Sequence, residues 1–187
     1  MSRYKIILVH GYLATPQDNW FPHFKKFIEQ LLDVSVVIPA MPNSSSPDFH
    51  SWLIHLRETI NIIDDRTIFV GHSLGCVTIL SFLEKYFPEQ KIKGLYLVSG
   101  FVENTPLPQL SGFVKEKLNF HRLTRNAAIR VVISAVDDTI VPHKYSLELS
   151  ERMDAEFILL SQGKHFIAQD GFTEFPELIT KIIEDLT

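Results

Sequence analysis

The apolar run Thr67-Ile68-Phe69-Val70 leads directly into Gly71-His72-Ser73-Leu74-Gly75, and this into the apolar stretch Val77 to Leu83. The order is strand, tight turn, helix, with a serine at the tip in the spacing G-x-S-x-G. A strand that turns straight into a helix has no room for side chains two residues before and after the tip, and glycines at 71 and 75 remove them. The tip backbone is then free to take a strained conformation that presents the Ser73 hydroxyl above the sheet edge. The first turn of the following helix lies beside it, and its unpaired N–H groups favour a developing negative charge. This feature requires a buried strand and a helix packed on it, so it restricts the chain to folds that supply both.

The other strand candidates agree. Tyr4 to Val9, Val34 to Ile38, Leu95 to Ser99, Arg130 to Ala135 and Glu156 to Leu160 join Thr67 to Val70. These runs are almost continuously apolar, as expected of parallel strands covered on both faces. Segments of helical period lie between them: Phe24, Phe27, Ile28, Leu31 and Leu32; Leu53, Leu56, Ile60 and Ile63; and Leu178, Ile179, Ile182, Ile183 and Leu186, with Pro176 suited to a first helical turn. The alternation predicts an α/β fold, a three-layer doubly wound sheet of about six parallel strands. At 187 residues the chain suits a single domain, residues 1–187. Met41 to Pro47 reads as a loop. Val102 to Ala128, with Pro106 and Pro108, is the longest irregular stretch, expected to hold one short helix around Phe113 to Leu118 and to be either a lid or a peripheral excursion.

Charge and composition exclude several roles. The formal net charge of −4 gives no basic footprint for nucleic acid. No apolar run approaches the roughly 18 residues of a membrane span. The apolar residues Ile6 to Val9 are too few for a signal-peptide core, which predicts a cytoplasmic protein. The one cysteine, Cys76, excludes an internal disulfide and is expected to be a small packing residue. The acidic pairs Asp64-Asp65 and Asp137-Asp138 have no histidine at ligand spacing, so neither a metal nor another cofactor is expected.

A serine hydroxyl is a poor nucleophile until a base takes its proton, and the base needs an acid to fix its tautomer. Behind turns of this kind the acid and then the histidine follow the serine along the chain. Asp137-Asp138-Thr139-Ile140-Val141-Pro142 directly follows one strand, and Gly163-Lys164-His165-Phe166 another. Both lie beyond strand carboxyl ends, where parallel sheets place their sites. Asp138, four residues before Pro142, is the favoured acid. Asp137 is the alternative, or else caps the turn or binds backbone. His165 is preferred over His143, which stands too close to the acid turn. The two oxyanion donors are expected to be the backbone N–H groups of Leu74 and Tyr12, with Gly11 allowing the loop to turn inward. His10 is expected to be structural, bonding its own loop. Tyr12, Trp20, Phe101 and Phe166 flank these loops and are the candidate substrate pocket, although each alone reads more readily as core.

With these residues placed, the chain resembles an α/β-hydrolase over nearly its full length. More narrowly it is similar to the small lidless serine hydrolases that include retinoblastoma-binding protein 9 and the YdeN-like proteins. The resemblance rests on His10-Gly11, Asn19-Trp20-Phe21-Pro22, Gly71 to Gly75, Asp137-Asp138 with Pro142, and Gly163 to Phe166. It implies a minimal fold without a large cap domain and a triad of Ser73, Asp138 and His165. The segment Asn61 to Asp65 lacks the L-x-C-x-E pattern of retinoblastoma-binding protein 9, so no such protein partner carries over. The expected activity is that of a metal-free serine hydrolase, a carboxylesterase on small ester substrates working through an acyl-enzyme. The alternatives are a thioesterase or acyltransferase using the same triad, and a non-catalytic protein-binding module on the same scaffold.

Overall fold

A computed structural model describes residues 4–102 and 107–187. The described residues form one six-stranded, wholly parallel sheet in the order β2-β1-β3-β4-β5-β6. The strands are β1 (Tyr4–Val9), β2 (Val34–Val37), β3 (Thr67–His72), β4 (Ile92–Val98), β5 (Ala127–Ala135) and β6 (Glu156–Leu160). The helices are α1 (Phe21–Leu31), α2 (Phe49–Thr59), α3 (Leu74–Tyr86), α4 (Phe120–Asn126), α5 (His143–Met153) and α6 (Pro176–Leu186).

The unbroken apolar strands are explained by two cores. Successive side chains of a strand point to opposite faces. Ile7, Val9, Phe69, Leu95, Leu97 and Val132 enter one core with α2, α3 and α5. Ile6, Leu8, Ile68, Val70, Tyr96, Val98 and Ile133 enter the other with α1 and α6. Residues of the central strands therefore meet apolar neighbours whichever way they point, whereas β6 at the sheet edge stays partly exposed. α1 and α3 leave the sheet on opposite faces, and β1 and β3 are adjacent. The carboxyl ends of these two strands thus bound a crevice, the usual ligand position in an open parallel sheet.

The sheet edge at β2 is covered by side chains of α1. The N–H of Val36 donates to Glu29 Oε1 at 2.7 Å, and Lys25 Nζ donates to the Val36 carbonyl. A backbone residue that would otherwise be open to pairing is thereby occupied.

The region after β4 departs from expectation. In place of a helix over Phe113 to Leu118 there is a 3₁₀ turn at Pro108–Val114 and then α4. Pro108 sets the φ of the first turn. Asn119 accepts a hydrogen bond from Arg122 N at 3.1 Å and starts α4 two residues after the expected helix ends. Pro106 lies outside the described residues. β4 and β5 also begin three residues earlier than the apolar runs suggested. No helix among the described residues is long and apolar enough to cross a membrane.

Candidate active site

Ser73 stands between β3 and α3 with φ 53° and ψ −119°, a conformation that L-residues rarely adopt. Its own backbone holds it there: Ser73 N donates to the Val98 carbonyl at 2.8 Å, and Cys76 N to the Ser73 carbonyl at 3.0 Å. Close approach explains the glycine after it. A Cβ on Gly75 would lie 2.0 Å from the Val9 carbonyl oxygen. The loop after β1 presses on the same turn, since a Cβ on Gly11 would lie 3.0 Å from Ser73 Cβ. Among the described residues neither the Tyr12 N–H nor the Leu74 N–H has an acceptor.

The structure brings Asp138 and His165 together at 2.9 Å, Oδ2 to Nδ1, with both side chains almost fully buried. The carboxylate accepts from Nδ1–H, which leaves Nε2 as the basic nitrogen of the ring. Asp138 Oδ1 accepts from Ile140 N at 2.9 Å and Val141 N at 2.8 Å. Asp137 turns elsewhere. Its Oδ1 accepts from Lys164 N at 2.8 Å, which ties the acid turn to the histidine loop. His143 opens α5.

The roles of three residues in this arrangement do not follow from the sequence. Ser99, just past β4, has φ 47° and donates its hydroxyl to Asp138 Oδ2 at 2.9 Å. That is the same oxygen that holds His165. His72, inside the glycine motif, donates Nε2–H to the backbone carbonyl of His165 at 2.9 Å. Burial, with His165 beside it, depresses the His72 pKa to about 3, so its ring is neutral at physiological pH. Asn19 accepts from Ala168 N at 2.9 Å and joins the β1 loop to the histidine loop.

Ser73 and His165 open into a cavity of about 360 Å³, whose walls include Tyr12, Leu13, Leu107 and Ile140. The expected pocket is corrected here. Tyr12 lines the cavity, but Trp20, Phe101 and Phe166 are fully buried and form none of its described wall. Trp20 packs edge-on against Phe21, Phe24, Phe175 and His72, so the aromatic segment supports the site from the core. A larger, open groove of about 870 Å³ runs along α1 and β2 and shares no lining residue with this cavity.

His10 is structural as expected. Its Nε2 accepts from Met41 N at 3.0 Å and its Nδ1 faces the Gly11 carbonyl at 3.0 Å, while burial lowers its pKa. Burial pushes the Cys76 thiol well up, so it is a poor source of thiolate. No cluster of three metal-ligating side chains occurs among the described residues.

The family profile described as "Serine hydrolase" matches residues 6–184. The chain belongs to the serine hydrolase family. It is 36% identical to YdeN of Bacillus subtilis strain 168 over 174 residues, covering 92% of this chain and 90% of that protein. The crystal structure of the B. subtilis ydeN gene product superposes with a TM-score of 0.93 over 97% of this chain and 98% of that one, at 33% identity. The serine hydrolase RBBP9 of Rattus norvegicus is 25% identical over 95% of this chain and 90% of its own length. Mouse alpha/beta hydrolase domain-containing protein 10 shares the fold, with a TM-score of 0.70 over 98% of this chain and 90% of its own at 18% identity.

Proposed function

We propose that this serine hydrolase is a metal-free carboxylesterase acting on small esters, with Ser73 as nucleophile, His165 as general base and acid, and Asp138 as the orienting carboxylate. The observation that carries the reading is the buried 2.9 Å contact of Asp138 with His165 Nδ1, beside a strained Ser73 in the same cavity. Ser73 Oγ attacks the ester carbonyl carbon while its proton passes to His165 Nε2. The oxyanion is met by the N–H groups of Tyr12 and Leu74, whose freedom from other acceptors supports that assignment. Collapse of the tetrahedral adduct expels the alcohol, which takes the proton from His165. Water then attacks the acyl-enzyme, His165 again accepts the proton, and the carboxylic acid leaves with Ser73 restored.

A cavity of about 360 Å³ suits short acyl groups. Selectivity along a series of p-nitrophenyl esters is expected to level off at roughly four to six carbons, each methylene adding about 0.8 kcal/mol until the cavity is filled. The deciding test is covalent labelling by a fluorophosphonate together with turnover of that series. Wild type is expected to label and to hydrolyse the short esters, and Ser73→Ala to fold and do neither. Labelling of Ser73→Ala at the wild-type rate would end the nucleophile assignment. Rates that climb through palmitoyl would end the small-ester assignment. Faster turnover of thioesters than of matched oxygen esters would move the activity to thioester cleavage.

A further inference from the structure

The cavity beside Ser73 has two kinds of lining. Leu13, Leu107, Ile140 and Ile167 are apolar, and Leu13 remains 64% exposed. Asp18, Asn19 and Gln169 are polar, and among the described residues of the lining Asp18 is the only carboxylate and there is no lysine or arginine. This carboxylate is fixed in place, because Thr15 donates to its Oδ2 through both backbone N–H, at 2.7 Å, and hydroxyl, at 2.8 Å. Asn19, with φ 54° and its bond to Ala168, sets the same loop against the histidine loop. No cationic side chain among the described residues pairs with Asp18. The neighbouring loops add Asp137, Asp138 and Asp170, and their one lysine, Lys164, is held by Asp170 at 3.1 Å. A fixed carboxylate in a cavity whose described walls carry no lysine or arginine makes the site anionic.

Resting on the ester-hydrolase reading above, we propose that the preferred substrates are esters bearing a cationic amine together with a small apolar group. The ammonium lies toward Asp18, and the apolar group covers Leu13 and Ile140. The same field disfavours esters that carry a second carboxylate. Asp18 is a specificity determinant here and takes no part in bond making. An ion pair at such an open position contributes about fivefold in kcat/KM.

The experiment compares matched ester pairs in wild type and Asp18→Asn, a substitution that keeps an acceptor oxygen for Thr15 and removes the charge. One pair is the p-nitrophenyl esters of valine and of isovalerate, with the amine on the acyl side. The other is 2-aminoethyl butyrate and propyl butyrate, with the amine on the alcohol side. An ammonium near the carbonyl activates an ester intrinsically, so the quantity read is the amine-to-neutral ratio in wild type divided by that in the variant, which cancels this effect. A quotient of about five, from KM rather than kcat, is expected for at least one pair, falling toward one in high salt. A quotient near one for both pairs overturns the proposal while leaving the esterase reading intact. Silence of wild type toward all four esters, with no fluorophosphonate labelling, overturns both.

Discussion

Ser73 and the Asp138–His165 pair are built by different means. Two backbone hydrogen bonds hold Ser73, but sterics confine its turn: strand, turn and helix leave one path for the backbone, and Gly75 is where a methyl group would strike Val9. Asp138 and His165 are held by hydrogen bonds, each from a different part of the chain. Four bonds converge on the Asp138 carboxylate, from Ile140, Val141, Ser99 and His165. A steric device fails all at once, because a clash has no partial form. A hydrogen-bonded device degrades by steps, one partner at a time.

Substitutions separate the two modes. The largest effect is expected for Asp138→Asn, a fall in kcat/KM of order ten-thousand-fold, since asparagine favours the wrong imidazole tautomer. Asp137→Asn is expected to lose about tenfold or less, because its amide oxygen still accepts from Lys164 N. Steady-state kinetics of the two variants checks the assignment, and a reversed order would exchange their roles.

The next largest effect belongs to the steric device. Gly75→Ala places a methyl on backbone that cannot move without shifting β1, and is expected to destabilise by about 3 kcal/mol or more. Gly112→Ala, with nothing within 4 Å of the added carbon, is expected to stay within about 0.5 kcal/mol. Urea denaturation of both measures the contrast.

A third effect depends on pH. The native fold disfavours the His72 imidazolium, so the unfolded chain binds that proton more tightly. The resulting stability is intact above the ordinary histidine pKa of about 6.5 and is lost as pH falls from there toward about 3, at roughly 1.4 kcal/mol per pH unit. By pH 4.5 the loss is about 2.7 kcal/mol by that slope. His72→Gln keeps an N–H for the His165 carbonyl and is expected to unfold with a correspondingly flatter acid dependence, measured as urea midpoints from pH 7 to 4.5.

The smallest effect is expected at Ser99. Ser99→Ala removes one of four donors to Asp138 and lowers kcat/KM about tenfold, as for one hydrogen bond to a charged group. Steady-state kinetics of the variant checks this, and an unchanged kcat/KM would reduce Ser99 to a packing residue.

The same division explains what the sequence disclosed. A steric device leaves its mark locally, so Gly71 to Gly75 reads correctly from the residues alone, and alternate burial in two cores makes the strands equally plain. The pairing of Asp138 with His165 was legible because each follows a strand. Ser99 was not, since its residue type and its place after a strand resemble any strand end, and its left-handed φ has no signature in the sequence. His72 filled a position that the motif leaves open. Trp20, Phe101 and Phe166 misled because nearness along the chain says nothing of direction: each adjoins a site loop yet points into the core. The excursion after β4 misled because its helix start is set by one capping side chain, Asn119.

The hydrogen bond from His72 to the His165 carbonyl joins residues 93 positions apart. In a chain emerging from the ribosome, the elbow is complete long before His165 has been synthesised. The last strand and the loop beyond it must dock before His165 shares a cavity with Ser73. On the proposed mechanism, hydrolysis would then be a readout of finished assembly: a nascent or truncated chain that stops short of His165 carries Ser73 and Asp138 and is expected to be inert.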